Sequence, residues 1–203
     1  MQKPVSGQTH LSKLKIIETA AALVRRQGWN ATGINQILTD AKTPKGSFYY
    51  YFHSKDELGV AIVKFHQEKI AALCANTLAN LELTGREGVL SYFKQQIELQ
   101  RQGEWILGCP IGSFSNEVAG TLEQINAACA EALKAWITAL EGAIARGQKD
   151  GSIQNTGTPE SLAQVVASLW EGALVLMKTF KNDASLQGLT ACIEQLFSCT
   201  AKG

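Results

Sequence analysis

Residues 32–57, Thr-Gly-Ile-Asn-Gln-Ile-Leu-Thr-Asp-Ala-Lys-Thr-Pro-Lys-Gly-Ser-Phe-Tyr-Tyr-Tyr-Phe-His-Ser-Lys-Asp-Glu, decide the fold. Ile34, Ile37 and Leu38 recur at helical spacing, and Lys42-Thr43-Pro44 then interrupts the pattern. A second short helix follows: Thr43 is placed to cap its first N–H groups, Pro44 suits the first helical position, and Lys45, Gly46 and Ser47 fill the first turn. Phe48, Tyr51 and Phe52 fall at i, i+3 and i+4, so one face is an anchor. Tyr49 and Tyr50 point elsewhere. Two adjacent solvent-facing tyrosines on a basic helix suit hydrogen bonding to phosphate oxygens. Helix, tight turn and tyrosine-rich helix together form the pattern of a DNA-reading device.

Charge is distributed to match. Up to Lys55 the chain has eight basic residues (Lys3, Lys13, Lys15, Arg25, Arg26, Lys42, Lys45, Lys55) against Glu18 and Asp40, a net +6. The remainder carries 11 basic and 16 acidic residues, a net −5. A basic head on a neutral-to-acidic body is the electrostatic footprint of a nucleic-acid reader. No apolar run approaches the ~20 residues of a membrane span. The N-terminus has no secretory signal, which points to a cytoplasmic protein. Cys74, Cys109, Cys129, Cys192 and Cys199 are odd in number and show no zinc spacing, and His10, His53 and His66 share none either. Cys192 and Cys199, roughly 10 Å apart along one helix, are too distant to bridge. Free thiols, no metal and no cofactor are expected.

Working outward, helical periodicity dominates and the fold class is all-α. A first helix, about Leu11 to Gln27, has Leu14, Ile17, Ala21 and Val24 on one face and stops at Gly28. Thr32 is the expected cap of the second helix, which ends near Ala41. Ser54 to Glu57 reads as a capping box that starts a fourth helix running to about Leu81. A fifth runs to about Gln102. Gly103 to Gly112 is the least helical part of the body, and a short helix from about Ser113 to Val118 precedes a long one from Thr121 to Lys149. Thr158-Pro159 starts a helix through Leu162, Val166, Leu169, Ala173, Leu176 and Phe180, and Ser185 starts a last one through Leu186, Leu189, Ile193 and Leu196. Residues 1–54 are read as a three-helix helix-turn-helix head, and 55–203 as a regulatory and dimerisation body.

The run from Pro44 to Leu58 resembles the recognition helix and following helix start of TetR-family transcriptional regulators, and the likeness extends back through Leu14 to Trp29. Lys42 departs from the glycine often found in that turn, so either a non-glycine residue sits at positive φ at some cost or the turn differs in detail. The resemblance implies contacts to double-stranded DNA from Thr32, Gly33, Lys45, Gly46, Ser47, Tyr49, Tyr50 and Lys55. It also implies a homodimer joined through the last two long helices. Two heads about one DNA turn apart would then read a palindromic operator.

Gly108-Cys109-Pro110, Ser115-Asn116-Glu117-Val118 and Trp170-Glu171-Gly172-Ala173 are similar to the electrophile-sensing NemR-like branch of that family. Cys109 lies ahead of a helix start, and Lys178 is a cation at the end of an apolar run. A cation or helix N-terminus near a thiol favours the reactive thiolate. Trp105, Phe114, Trp136, Trp170 and Met177 are residue types that line a small-molecule cavity, and more often those of a plain core. The expected function is therefore a repressor, without catalytic residues, released by a small-molecule or thiol-reactive inducer. A helical binding protein, or an enzyme using Cys109 as nucleophile, fits the body but leaves the basic head unexplained.

Overall fold

The structure, a computed structural model of the chain, describes residues 6–199, with side chains from Leu11 onward. Lys3 and the side chain of His10 lie outside the described residues. These residues form nine α-helices and no strand: α1 (Ser6–Gln27), α2 (Ile34–Asp40), α3 (Phe48–Tyr51), α4 (Lys55–Asn76), α5 (Gly85–Gln102), α6 (Pro110–Val118), α7 (Glu123–Asp150), α8 (Pro159–Phe180) and α9 (Ala184–Ser198). They fall into two compact units. Of the described residues, one unit comprises 6–67 with 110–130 and the other 68–109 with 131–199. This grouping differs from a division at residue 54, because the start of α4, all of α6 and the start of α7 pack with the head.

In the first unit Ile16, Ala20, Val24, Trp29, Ile37, Leu38, Phe48, Phe52, Leu58, Ile62, Phe114 and Ile125 are buried. Leu14 and Ile17 are only half-buried, so the inward face of α1 is centred on Ile16 and Ala20. Gly28, at φ 87°, closes α1 by donating its N–H to the Val24 carbonyl. Thr32 does not cap α2 as expected. It is fully buried, its hydroxyl donates to the Gly28 carbonyl at 2.6 Å, and Gly33 takes the cap position. The Ser54 cap holds: the Glu57 N–H donates to its Oγ at 3.1 Å, while the Glu57 carboxylate accepts from the His53 N–H at 2.7 Å.

The second unit is built on a cluster that includes Tyr92, Phe93, Trp136, Leu140, Val166, Trp170, Met177, Leu186, Ile193 and Phe197. α4 stops at Asn76, five residues before the expected end, because the chain turns to insert Leu78, 1% exposed, into this core; Leu81 is left exposed. Thr84 and Glu87 form a full capping box at the start of α5. Thr158 caps α8 by accepting the Ser161 N–H at 3.2 Å, with Pro159 in the first turn.

α8 is long and apolar enough on average to match a membrane span by length and composition, although Glu160, Glu171 and Lys178 interrupt it. Only one side of that apolar surface is used within the chain. Leu162, Val166, Trp170, Ala173 and Met177 face the core, while Val165, Leu169, Val175, Leu176 and Phe180 are exposed. α9 divides likewise: Leu186, Leu189, Ile193 and Phe197 are buried, and Gly188, Ala191, Cys192 and Gln195 are exposed. The Cys192 thiol is therefore exposed, unlike those of Cys74 and Cys129.

Candidate nucleic-acid interface and sensor site

The link between α2 and α3 is a tight turn. Lys42 adopts φ 50°, the left-handed conformation a non-glycine residue takes at some cost, and its N–H donates to the Thr39 carbonyl at 3.0 Å. Thr43 does not cap the next helix; its hydroxyl donates to the Ala41 carbonyl at 3.1 Å and ties the turn instead. Pro44 precedes a 3-10 turn, Lys45–Ser47, which runs into the single turn of α3. Phe48 and Phe52 are buried, whereas Tyr49 and Tyr50 are 70% and 67% exposed. The Tyr49 ring stands perpendicular to Phe48 at 5.3 Å and that of Tyr50 to Tyr51 at 4.9 Å, so both rings are oriented while most of each residue stays exposed. Gly33, Lys45 and Gly46 are exposed and Ser47 is half-buried. A side chain at Gly33 or Gly46 would meet nothing within 4 Å, which leaves the backbone there open to close approach.

Two of the expected contacts are engaged inside the unit. Thr32, buried with its hydroxyl already donated, has no side-chain atom to offer DNA and leaves the set. Lys55 donates from Nζ to the Trp29 carbonyl at 2.9 Å and lies over the Trp29 ring at 4.1 Å, and this partial burial lowers its pKa against the opposing pull of Asp56 and Glu117. Its ammonium is part of the joint between α1 and α4. Sequence reading missed Glu117 of α6 in this role. Its carboxylate accepts from the backbone N–H groups of Trp29 and Asn30 at 2.9 and 2.8 Å, holding the α1–α2 connection. Phe114, one turn earlier on α6, packs against Trp29 with ring centroids 5.2 Å apart.

In the second unit the irregular segment before α6 is held by Gln100, buried on α5. Its carbonyl oxygen accepts the Gly108 N–H at 3.1 Å. Glu104 and Trp105 both adopt positive φ, 55° and 63°, and Gly108 adopts 67°. Non-glycine residues in that region cost about 1–3 kcal/mol each and persist where surrounding contacts over-determine them. Cys109, half-buried, is thereby held beside Glu171 of α8 and hydrogen-bonds to its carboxylate. Burial raises the Glu171 pKa and this hydrogen bond opposes the rise. The Lys178 side chain runs past Gly108: a Cβ built there would lie 3.6 Å from Lys178 Cδ. By contrast, burial pushes the Cys74 and Cys129 thiols up to about 11.

Of the expected cavity residues, Trp136, Trp170 and Met177 are buried together. Trp170 lies 5.2 Å from Phe93 and Trp136 lies 6.2 Å from Tyr92, centroid to centroid. Trp105 is half-buried beside Arg101, and Phe114 belongs to the first unit with Trp29. No group of three or more metal-ligating side chains occurs among the described residues.

Comparison with known proteins matches residues 16–62 to the model of bacterial regulatory proteins of the tetR family. Residues 85–192 match that of the C-terminal domain of LmrA/YxaF-like transcriptional regulators. The HTH-type transcriptional regulator LmrA of Bacillus subtilis (strain 168) is 31% identical over 190 residues, covering 91% of this chain and 96% of LmrA. The chain belongs to the TetR family. The HTH-type transcriptional repressor NemR of Escherichia coli (strain K12) is 28% identical over 192 residues, 95% of this chain and 96% of NemR. A crystal structure of E. coli NemR in its reduced form superposes with a TM-score of 0.85 at 28% identity, covering 95% of this chain and all of that one. The chain is thus a TetR-family helix-turn-helix regulator, and the exposed tyrosine pair on its buried phenylalanine anchor falls within the residues matched to that family's N-terminal model.

Proposed function

We propose that this TetR-family regulator is a cytoplasmic repressor that binds a palindromic operator as a homodimer and is released when an electrophile or oxidant reaches Cys109. A non-covalent aromatic ligand in the same cluster is the second form of the signal, favoured by the packing of Trp136, Trp170 and Met177 around Tyr92 and Phe93. The observation that carries DNA binding is the exposure of Tyr49 and Tyr50, with Lys45, above Phe48 and Phe52. Tyrosine hydroxyls and the lysine ammonium bring hydrogen bonds and charge to a phosphate backbone without themselves reading sequence. Release is a coupling of ~1–3 kcal/mol per site between the sensor and the spacing of the two heads.

Tyr49→Phe removes one hydroxyl and leaves the ring's contact with Phe48. Affinity should fall about tenfold on operator and random duplexes alike, as expected for one hydrogen bond to a charged group. Lys45→Ala should in addition narrow the gap between operator and random DNA. A gel-shift titration in which both variants bind like wild type removes these residues from the interface.

The sensor is tested separately. After brief maleimide treatment, peptide mass mapping should find Cys109 labelled ahead of Cys74 and Cys129, whose burial disfavours the thiolate. The labelled protein should leave the operator, and Cys109→Ser should stay bound. Release of Cys109→Ser as readily as wild type moves the sensor to another cysteine, with exposed Cys192 and Cys199 the first to examine. Lys178→Ala slows the response if the cation acts with the thiol, and leaves it unchanged if Cys109 acts alone.

A further inference from the structure

A carboxylate is a poor neighbour for a thiol that works only as a preformed thiolate, since like charge disfavours ionisation. Yet Cys109 hydrogen-bonds to Glu171, which burial makes more basic than an ordinary carboxylate. The same cluster holds a donor with nothing to bind. Trp136 is 7% exposed, packs beside Tyr92, and its indole Nε1 has no hydrogen-bond partner among the described residues. A buried N–H left without an acceptor costs about 1–3 kcal/mol, so such a group points to a polar atom that arrives from outside.

We propose that Glu171 is the general base that takes the Cys109 proton as the thiol adds to an α,β-unsaturated carbonyl compound, and that Trp136 Nε1 donates to that compound's carbonyl oxygen. The inference rests on Cys109 being the sensor and assigns the proton and the orienting hydrogen bond of its reaction. The S–H proton moves to the Glu171 carboxylate while a sulfur lone pair forms the C–S bond at the β-carbon. The C=C π pair shifts toward the carbonyl oxygen, where the indole N–H meets the developing charge. The proton on Glu171 then passes to the α-carbon, leaving a thioether and a regenerated carboxylate. No oxidant or reductant is consumed.

The surroundings suit this division of labour. Tyr92 on α5 and Cys74 on α4 are both held protonated by burial at neutral pH, Tyr92 also accepting a hydrogen bond from Gln96 Nε2 at 2.9 Å. Lys178 is the cation alongside Gly108. Neither Tyr92 nor Cys74 therefore competes for the proton that Cys109 gives to Glu171. Burial acts on the carboxylate in the direction that favours this transfer, because a base works best when its pKa lies near the working pH.

The test is the pH dependence of Cys109 alkylation by a maleimide, followed by mass mapping of the full-length protein. A thiol without a base reacts through its thiolate, and its rate rises tenfold per pH unit below the thiol pKa. With Glu171 as base, the wild-type rate should rise well short of the hundredfold that the thiolate route gives from pH 6 to 8. Glu171→Gln should restore the tenfold slope and react at least tenfold more slowly at pH 6, whereas Glu171→Asp, which keeps the carboxylate, should retain the shallow profile. Trp136→Phe should raise the maleimide concentration giving half-maximal rate and leave the pH profile alone. A tenfold slope in wild type, or a Glu171→Gln variant that reacts faster at every pH, overturns the base assignment even if Cys109 is labelled and releases DNA. An unchanged half-maximal concentration in Trp136→Phe overturns the donor assignment. Absence of label on Cys109 in wild type overturns the sensor itself.

Discussion

Gly85→Ala is expected to destabilise the body by about 3 kcal/mol, the upper range for forcing an added methyl into packed structure. Gly85 is the first residue of α5 and is buried against the backbone of α7. A Cβ there would stand 2.1 Å from the Gly147 nitrogen and 2.3 Å from the Ala143 carbonyl oxygen. Backbone atoms in mid-helix cannot swing aside as the end of a long side chain can, so α5 would have to lift. Lifting it would also strain the bond from the Gly85 N–H to Asp150 Oδ2, now 2.9 Å, and the capping box at Thr84 and Glu87. For a chain of this length the thermal midpoint should drop by roughly 10 °C. A melting curve within 2 °C of wild type would mean that α5 and α7 are not in backbone contact. Gly120→Ala is the matched control, since an added Cβ there meets nothing within 4 Å.

The second large effect concerns the face of α8 that the chain itself does not use. Val165, Leu169, Leu176 and Phe180 recur at spacings of four and seven residues on its exposed side, and Gly188, Ala191 and Cys192 give the adjoining side of α9 a low profile. A continuous apolar patch of this kind is costly to leave wet and is what an obligate dimer covers. Leu176→Glu should therefore convert a dimer into monomers by sedimentation at micromolar concentration. Operator affinity should fall by about a hundredfold or more, because each head then binds a half-site without the entropic help of the other. An Ile193→Glu variant asks a different question. Ile193 is fully buried within its own chain, so a charge there should unfold the body rather than separate subunits. Wild-type monomers at micromolar concentration, or a Leu176→Glu variant that stays dimeric, would remove this face as the interface.

What the chain determines by itself is whatever depends on neighbours three or four residues apart. The anchor of Phe48 and Phe52, the outward turn of Tyr49 and Tyr50, the caps at Ser54 and Thr158 and the end of α5 at Gln102 all follow from local spacing and turn chemistry. Local signals misled where a hydroxyl had two partners of similar value. Thr32 and Thr43 are good caps by residue type, yet each donates to a carbonyl behind it instead.

Tertiary structure alone decided which apolar stripe is core. α8 is apolar on two sides, and only its packing against other helices, α9 foremost, separates buried Val166 and Met177 from exposed Leu169 and Leu176. It also decided every contact of the acidic side chains that shape the two sites. Glu117 meets Trp29 across 88 residues of chain, and Glu171 meets Cys109 from another helix. A glutamate on a helix has the same local pattern whether it faces water or clamps a distant backbone. What distinguishes the two is the desolvation and hydrogen bonding supplied by segments remote in sequence, which exist only once the chain has folded.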